Sequence, residues 1–224
     1  MGSEFKKKIL SNGISLLAVE GNIGVGKTSL ARLLAQYLDA QLVEESVDDN
    51  PFIERFYENM GVFALQTQLV FLMNRYRQQL SLGQKELFAG LTVIDYVFAR
   101  DKIFAHVNLT DDELGLYNRI ASELEQKLVR PDLVVYLQAS SDVLFERIQR
   151  RGSAMERTIS KNYLETLNEA FNHYFFKHME TPLLIVNTDG MDFVSNERHF
   201  RDLLRRISEP VEGTELYVPS WEKP

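Results

Sequence analysis

The strongest chemical signal is a run of small residues closed by a cation and a hydroxyl. Gly21-Asn22-Ile23-Gly24-Val25-Gly26-Lys27-Thr28 fits the whole pattern G-x-x-x-x-G-K-[ST], and Ser29 follows it. An apolar run precedes this segment and a helix-patterned one follows. Its glycines let backbone N–H groups converge on a phosphate, and the helix N-terminus adds positive potential. Lys27 would reach the β- and γ-phosphates, and Thr28 would offer its hydroxyl to Mg²⁺. Such a loop implies binding of a nucleoside triphosphate without naming the acceptor.

Two other groupings could act beside that loop. Glu44-Glu45-Ser46-Val47-Asp48-Asp49 follows the second apolar run, and a carboxylate there could take the proton from an attacking hydroxyl. For any one of these acids, a solvated loop is the competing reading. Arg147 and Arg151 are spaced i, i+4 and so share a helix face, with Arg157 further on. Cations gathered around a moving phosphoryl group stabilise it, which suits a lid over about residues 147–160. A solvated arginine face is the alternative.

The elements that would position these groups alternate. Short apolar runs at Ile14–Val19, Ala40–Val43, Leu91–Ile94, Leu133–Leu137 and Leu183–Val186 read as strands. Helical spacing fills Thr28–Leu38, Phe63–Leu80, Asp111–Lys127, Ser141–Arg151, Lys161–Phe176 and Asn196–Ile207, with a short helix expected at Phe52–Tyr57. This alternation predicts an α/β fold of the phosphate-loop type: a five-stranded parallel sheet flanked by helices, with an Arg-rich lid. In such sheets ligands sit beyond the carboxyl ends of the strands, which brings the acidic turn to the phosphate loop.

Composition narrows the classes. The 224 residues include no cysteine, which removes disulfides, thiolate metal sites and cysteine nucleophiles. The net charge of −7 argues against a nucleic-acid polymer as partner. No apolar run approaches the roughly 18 residues of a membrane span. A cytoplasmic location is the expectation. Met1-Gly2-Ser3-Glu4-Phe5 reads as a cloning scar, leaving residues 6–224 as one domain.

Taken together, these motifs resemble the deoxynucleoside kinase family, the group that holds deoxycytidine, deoxyguanosine, deoxyadenosine and insect multisubstrate kinases. The likeness runs from about Ile14 to Phe193 and looks most like a bacterial branch. It implies phosphoryl transfer from ATP, with Mg²⁺, to the 5′-hydroxyl of a deoxyribonucleoside in nucleotide salvage. Glu45, in Glu45-Ser46-Val47, matches the general base of the family's Glu-Pro-Val turn, with Ser46 in place of proline. Phe63-Ala64-Leu65-Gln66-Thr67 matches a helical motif whose glutamine reads the acceptor base, which assigns Gln66. Met73 matches an apolar pocket position, and Tyr57 also falls to the substrate pocket. Phe63, Phe71, Tyr76 and Phe98 would sandwich the base.

Asp95 matches the acid that helps organise Mg²⁺ after the third strand. Tyr96 stands where an arginine is usual, so that phosphate contact is either lost or supplied by Arg100, which also falls to the substrate side. Arg147 and Arg151 match the lid arginines, with Ser153 at the third and Arg157 as its substitute. Asp192 and Phe193 match a loop around the donor adenine. Relatives are mostly dimers, which makes Phe63–Leu80 and Asp111–Lys127 the expected homodimer interface. The branch points to a purine, deoxyadenosine first, while Met73 points toward pyrimidines. A nucleoside monophosphate kinase, another small-molecule kinase and a non-catalytic nucleotide-binding switch are the competing readings.

Overall fold

Strand β1 (Leu16–Gly21) is buried at every position, which requires cover on both faces. It lies between β3 (Thr92–Ile94) and β4 (Leu133–Gln138), parallel to both. The structure, a computed structural model, describes residues 2–45, 47, 49–84, 90–125, 128–153, 156–177 and 180–219. The sheet order is β2-β3-β1-β4-β5-β6, with β2 at Gln41–Val43, β5 at Leu183–Asn187 and β6 at Thr214–Tyr217. Every neighbouring pair is parallel.

The sheet therefore has six strands, not the expected five. The sixth pairs with β5 at the edge, where its burial alternates between exposed and intermediate. A four-residue strand with one wet face presents no apolar run, so periodicity passes over it.

The helices are α1 (Gly2–Ser11), α2 (Lys27–Leu38), α3 (Ile53–Glu58), α4 (Met60–Gln84), α5 (Ala99–Asn108) and α6 (Asp111–Glu125). They continue with α7 (Ser141–Arg151), α8 (Lys161–Lys177) and α9 (Glu197–Ile207). Lys127, the expected end of the α6 segment, lies outside the described residues. Residues 2–5 begin α1, and the Phe5 ring lies 6.5 Å from Tyr37. Tyr37 meets Phe200 edge-on at 5.6 Å, so α1, α2 and α9 form one packed group. On β4, Tyr136 stacks on Phe175 of α8 with centroids 4.4 Å apart.

Local chemistry sets the helix ends that matter for the site. Helix α7 starts at Ser140, whose side chain accepts from Val143 N, and stops at Gly152 in the left-handed region. Helix α2 begins after Gly26 with no side-chain cap, so its first N–H groups stay open to an anion.

A parallel sheet places all its strand ends on one edge. Gly21, Val43, Ile94, Gln138 and Asn187 end the first five strands there, and the loops that follow them build the site. The joint after β1 is tight. Gly21 has φ +150°, and a Cβ at that position would lie 2.4 Å from the carbonyl oxygen of Leu137. We expect Gly21→Ala to lower the free energy of unfolding by roughly 3 kcal/mol, read by urea denaturation. An unchanged midpoint would show that the β1–β4 joint can give way.

Candidate active site

The phosphate loop is held by its own side chains. Asn22 Nδ2 donates to the Leu164 carbonyl at 3.0 Å and to Asn168 Oδ1 at 2.7 Å. Asn22 Oδ1 accepts from Ile23 N at 2.7 Å, so this side chain anchors the loop to α8. Gly26 meets the ring of Phe193; a Cβ there would lie 2.9 Å from Cζ. Phe193, in the segment before α9, thus packs against the loop. Ser29 faces solvent.

Lys27 Nζ donates to the Asn22 carbonyl at 3.1 Å. Burial, and then the nearby Arg100, push the Lys27 amine down to about 7; Glu20, Glu45 and Asp95 oppose that fall. Thr28 Oγ1 donates to Asp95 Oδ2 at 2.6 Å, and Asp95 Oδ1 accepts from Glu45 N at 2.7 Å. One carboxylate therefore joins the phosphate loop to the acidic turn. Among the described residues, no group of at least three His, Cys, Asp or Glu could hold a metal by itself. A hydroxyl and one carboxylate fit Mg²⁺, which is held by one or two protein oxygens together with phosphate oxygens.

Behind the loop runs a buried chain of alternating charge. Glu20, fully buried on β1, accepts from Gly21 N at 2.8 Å, Val97 N at 2.9 Å and Arg100 Nη1 at 2.7 Å. Arg100 Nε lies 3.7 Å from Glu45 Oε2. Glu45 is also ion-paired with Arg75 of α4, which pairs in turn with Asp101 of α5. Burial pushes the Glu20 carboxyl up, against Arg100, Lys27 and two backbone donors. Burial also pushes the Glu45 carboxyl up, but Arg75, Arg100 and Lys27 together outweigh it and hold it below the ordinary range. Asp101 rises to about 6 because burial exceeds the pull of Arg75.

A cavity of about 140 Å³ opens where these groups meet. Of the residues expected at the site, Lys27, Thr28, Glu45, Tyr57, Asp95, Arg100 and Arg151 line it. Ile23 and Gly24 do so as well. Several expected residues do not. Gln66 is exposed, and the amide on the wall is Gln68, which is 2% exposed. Two residues along a helix amount to about 200° of rotation, so both cannot face one cavity. Ala64, Gln68, Leu72, Arg75 and Gln79 form the buried stripe of α4.

Met73 lies off that stripe and is exposed. Phe63 packs with Ile53, Phe56 and Ala64 under Arg55, not into the cavity. Phe98 packs among Leu72, Ala105 and Tyr117, and Tyr76 is partly buried against the same cluster. Of the expected aromatic sandwich, Phe71 lines the cavity.

The arginines expected to form a lid divide. Arg147 donates to the carbonyls of Val25 (3.2 Å), Thr188 (2.6 Å) and Met191 (3.2 Å), and to Thr188 Oγ1 at 3.2 Å. Its guanidinium ties the phosphate loop to the loop after β5 and lies off the cavity wall. Arg151 faces the cavity and pairs with Glu156, which the sequence did not single out. Arg157 is exposed, and Ala154 and Met155 of the lid lie outside the described residues, as do Ser46 and Asp48 of the acidic turn. Thr158 Oγ1 donates to the Tyr57 carbonyl at 3.1 Å, joining the segment after α7 to α3. Asp192 is exposed and accepts from Val194 N and Ser195 N in its own turn.

Glu20, Gln68, Arg75 and Asp101 are site residues that sequence reasoning missed. Glu20 carried a signal: a lone carboxylate set directly between an apolar run fit for burial and the phosphate loop. Asp101 carried none, since Arg100-Asp101-Lys102 reads equally as a solvated helix face.

Comparison with known proteins gives a consistent result. The sequence profile described as "Deoxynucleoside kinase" matches residues 17–212. A deoxyguanosine kinase of Bacillus subtilis is 34% identical over 205 residues, covering 89% of this chain and 99% of that protein. A deoxyadenosine kinase of Lactobacillus acidophilus is 27% identical over 214 residues, covering 88% and 97% respectively. Among solved structures, the deoxyadenosine kinase from M. mycoides with bound dATP superposes with a TM-score of 0.77 at 21% identity. That match covers 87% of this chain and 100% of the other, and it speaks for the fold.

The charge chain makes a prediction about the phosphate loop. Lys27 carries its charge below about pH 7 and sheds it above, so tripolyphosphate affinity should fall as pH rises through that value. Glu20→Gln removes a carboxylate that supports the lysine charge. The fall, followed by titration calorimetry, should then begin at lower pH. Unfolding free energy should also drop by about 3 kcal/mol, because Arg100 loses its buried partner.

Proposed function

The chain belongs to the deoxynucleoside kinase family, and from that premise we propose that it transfers the γ-phosphoryl group of ATP to the 5′-hydroxyl of a purine deoxyribonucleoside. The observation that carries this reading is the shared cavity. Lys27 and Thr28 stand on its wall together with the Glu45 carboxylate and the Gln68 amide. A donor phosphate at the loop and a nucleoside in the cavity would then meet at Glu45. The sequence expectation favoured deoxyadenosine. Relatives named for deoxyguanosine keep both purines in the reading.

The transition state of phosphoryl transfer is loose, so the acceptor hydroxyl needs orientation more than early deprotonation. Glu45 suits that task. Arg75 and Arg100 keep it ionised, so it accepts a hydrogen bond from the hydroxyl and receives the proton as the bond to phosphorus forms. Lys27 and Arg151 balance charge on the transferring group. Thr28 and Asp95 would hold Mg²⁺, which when bound neutralises the phosphate oxygens. Gln68 offers a donor and an acceptor in one plane, the pattern needed to read a base edge. Phe71 supplies a flat apolar wall. Tyr57 and Glu156 place a hydroxyl and a carboxylate on the wall as partners for sugar hydroxyls.

Arg147 acts in this reading through the loops it joins, and Asp192 and Phe193 shape the loop beside the donor. No helix among the described residues is long and apolar enough to cross a membrane. A homodimer through α4 and α6 is part of the reading; Val62 and Met73 on α4 and Leu116 on α6 leave apolar surface exposed there.

The test is ADP release with ATP and each of the four deoxynucleosides in turn. We expect turnover with deoxyadenosine or deoxyguanosine, and no turnover with all four would overturn the reading. Glu45→Gln should lower kcat at least about a hundredfold with KM for ATP little changed. Gln68→Ala should raise KM for the nucleoside about tenfold, the worth of one hydrogen bond to a base, whereas Gln66→Ala should leave it unchanged. Equal effects at the two glutamines would remove Gln68 from base recognition.

A further inference from the structure

Two adjacent glutamates close β2, and their contacts differ. Glu45 enters the cavity, whereas Glu44 is not among the residues that line it. The Glu44 carboxylate takes one edge of the Arg32 guanidinium: Arg32 Nε donates to Oε1, and Arg32 Nη2 donates to Oε2 at 2.7 Å. Arg32 sits on α2 one turn beyond Thr28, on the helix that opens at the phosphate loop. The Glu44 carbonyl accepts from Gln78 Nε2 of α4 at 3.0 Å. The N–H of the same peptide group, that of Glu45, donates to Asp95 Oδ1 at 2.7 Å. The single peptide plane that leads into Glu45 is therefore held at its carbonyl by α4 and at its N–H by the end of β3. The side chain just before it is held by α2.

We propose that Glu44, through Arg32, and Gln78 are positioning residues that fix the Glu44–Glu45 peptide plane and so aim the Glu45 carboxylate at the acceptor hydroxyl. This rests on the kinase reading above. The Arg32–Glu44 pair is partly exposed, with side chains 64% and 30% accessible. Such pairs add little to overall stability. Placement of a reacting group is far more sensitive, since an error of about 1 Å can cost two orders of magnitude in rate. The two consequences separate a positioning role from a merely structural one.

The experiment compares Glu44→Gln, Arg32→Met, Gln78→Leu and the swapped pair Glu44→Arg with Arg32→Glu. For Glu44→Gln, Arg32→Met and Gln78→Leu we expect kcat for the nucleoside to fall about tenfold, with KM for ATP and the urea midpoint unchanged. The swapped pair should recover most of the loss. Hydrogen exchange at the Glu45 amide gives a readout that needs no turnover: it should speed up in Glu44→Gln and slow again in the swapped pair. Unchanged kcat with unchanged exchange would overturn the proposal. Should the wild-type protein phosphorylate no nucleoside, the kinase reading alone falls. The exchange of the Glu45 amide then decides, and wild-type protection in Glu44→Gln overturns the positioning role.

Discussion

The site depends on a buried chain of charge that runs Glu20–Arg100–Glu45–Arg75–Asp101. Burying any one of these groups alone would cost several kcal/mol. Each carboxylate instead faces an arginine, and each arginine faces two carboxylates. Two backbone N–H groups further satisfy Glu20. The chain leaves Glu45 ionised while its neighbours absorb the strain of burial: Asp101 rises toward neutrality, and Lys27, at the other flank, loses part of its hold on a proton. A ligand carrying phosphate would add negative charge beside this lysine and so strengthen its hold on the proton.

The parallel sheet makes such a chain possible. Its strands end on one edge, so β1, β2 and β3 deliver Glu20 with the phosphate loop, Glu45 and Asp95 to one place. Helices α4 and α5 then bring Arg75, Arg100 and Asp101 down onto it. Asp95 bridges Thr28 and the Glu45 amide, and so couples the donor side of the cleft to the acceptor side with one side chain. Arg147 does similar work on the other flank, tying Val25 to the loop after β5. An arginine that the sequence assigns to the phosphates thus serves the structure through backbone carbonyls.

How far the sequence could be read depended on how local each feature is. Helix α7 was legible to the residue because Ser140 and Gly152 cap it and its apolar spacing is regular. The sixth strand was not, because an edge strand with one wet face lacks an apolar run. On α4, the expected motif around Gln66 and the true inward stripe through Gln68 lie two residues apart. A polar helix face and a cavity-facing polar stripe look the same in sequence, and what packs against the helix decides between them.

By itself the sequence determined the phosphate loop and the parallel α/β architecture, while Glu45 and Asp95 stood out among the strand-end acids only through the family resemblance. The loop and the architecture are written in contiguous residues, whose backbone demands and periodicity need no distant partner. Only the tertiary structure decided that Gln68 faces the cavity, that Arg147 braces loops, and that Glu20 and Asp101 complete the charge chain. The partners in those decisions lie far apart along the chain, as Glu20 and Arg100 do. Whether a buried charge is tolerable depends on which opposite charge the fold brings to it, and that is a property of packing.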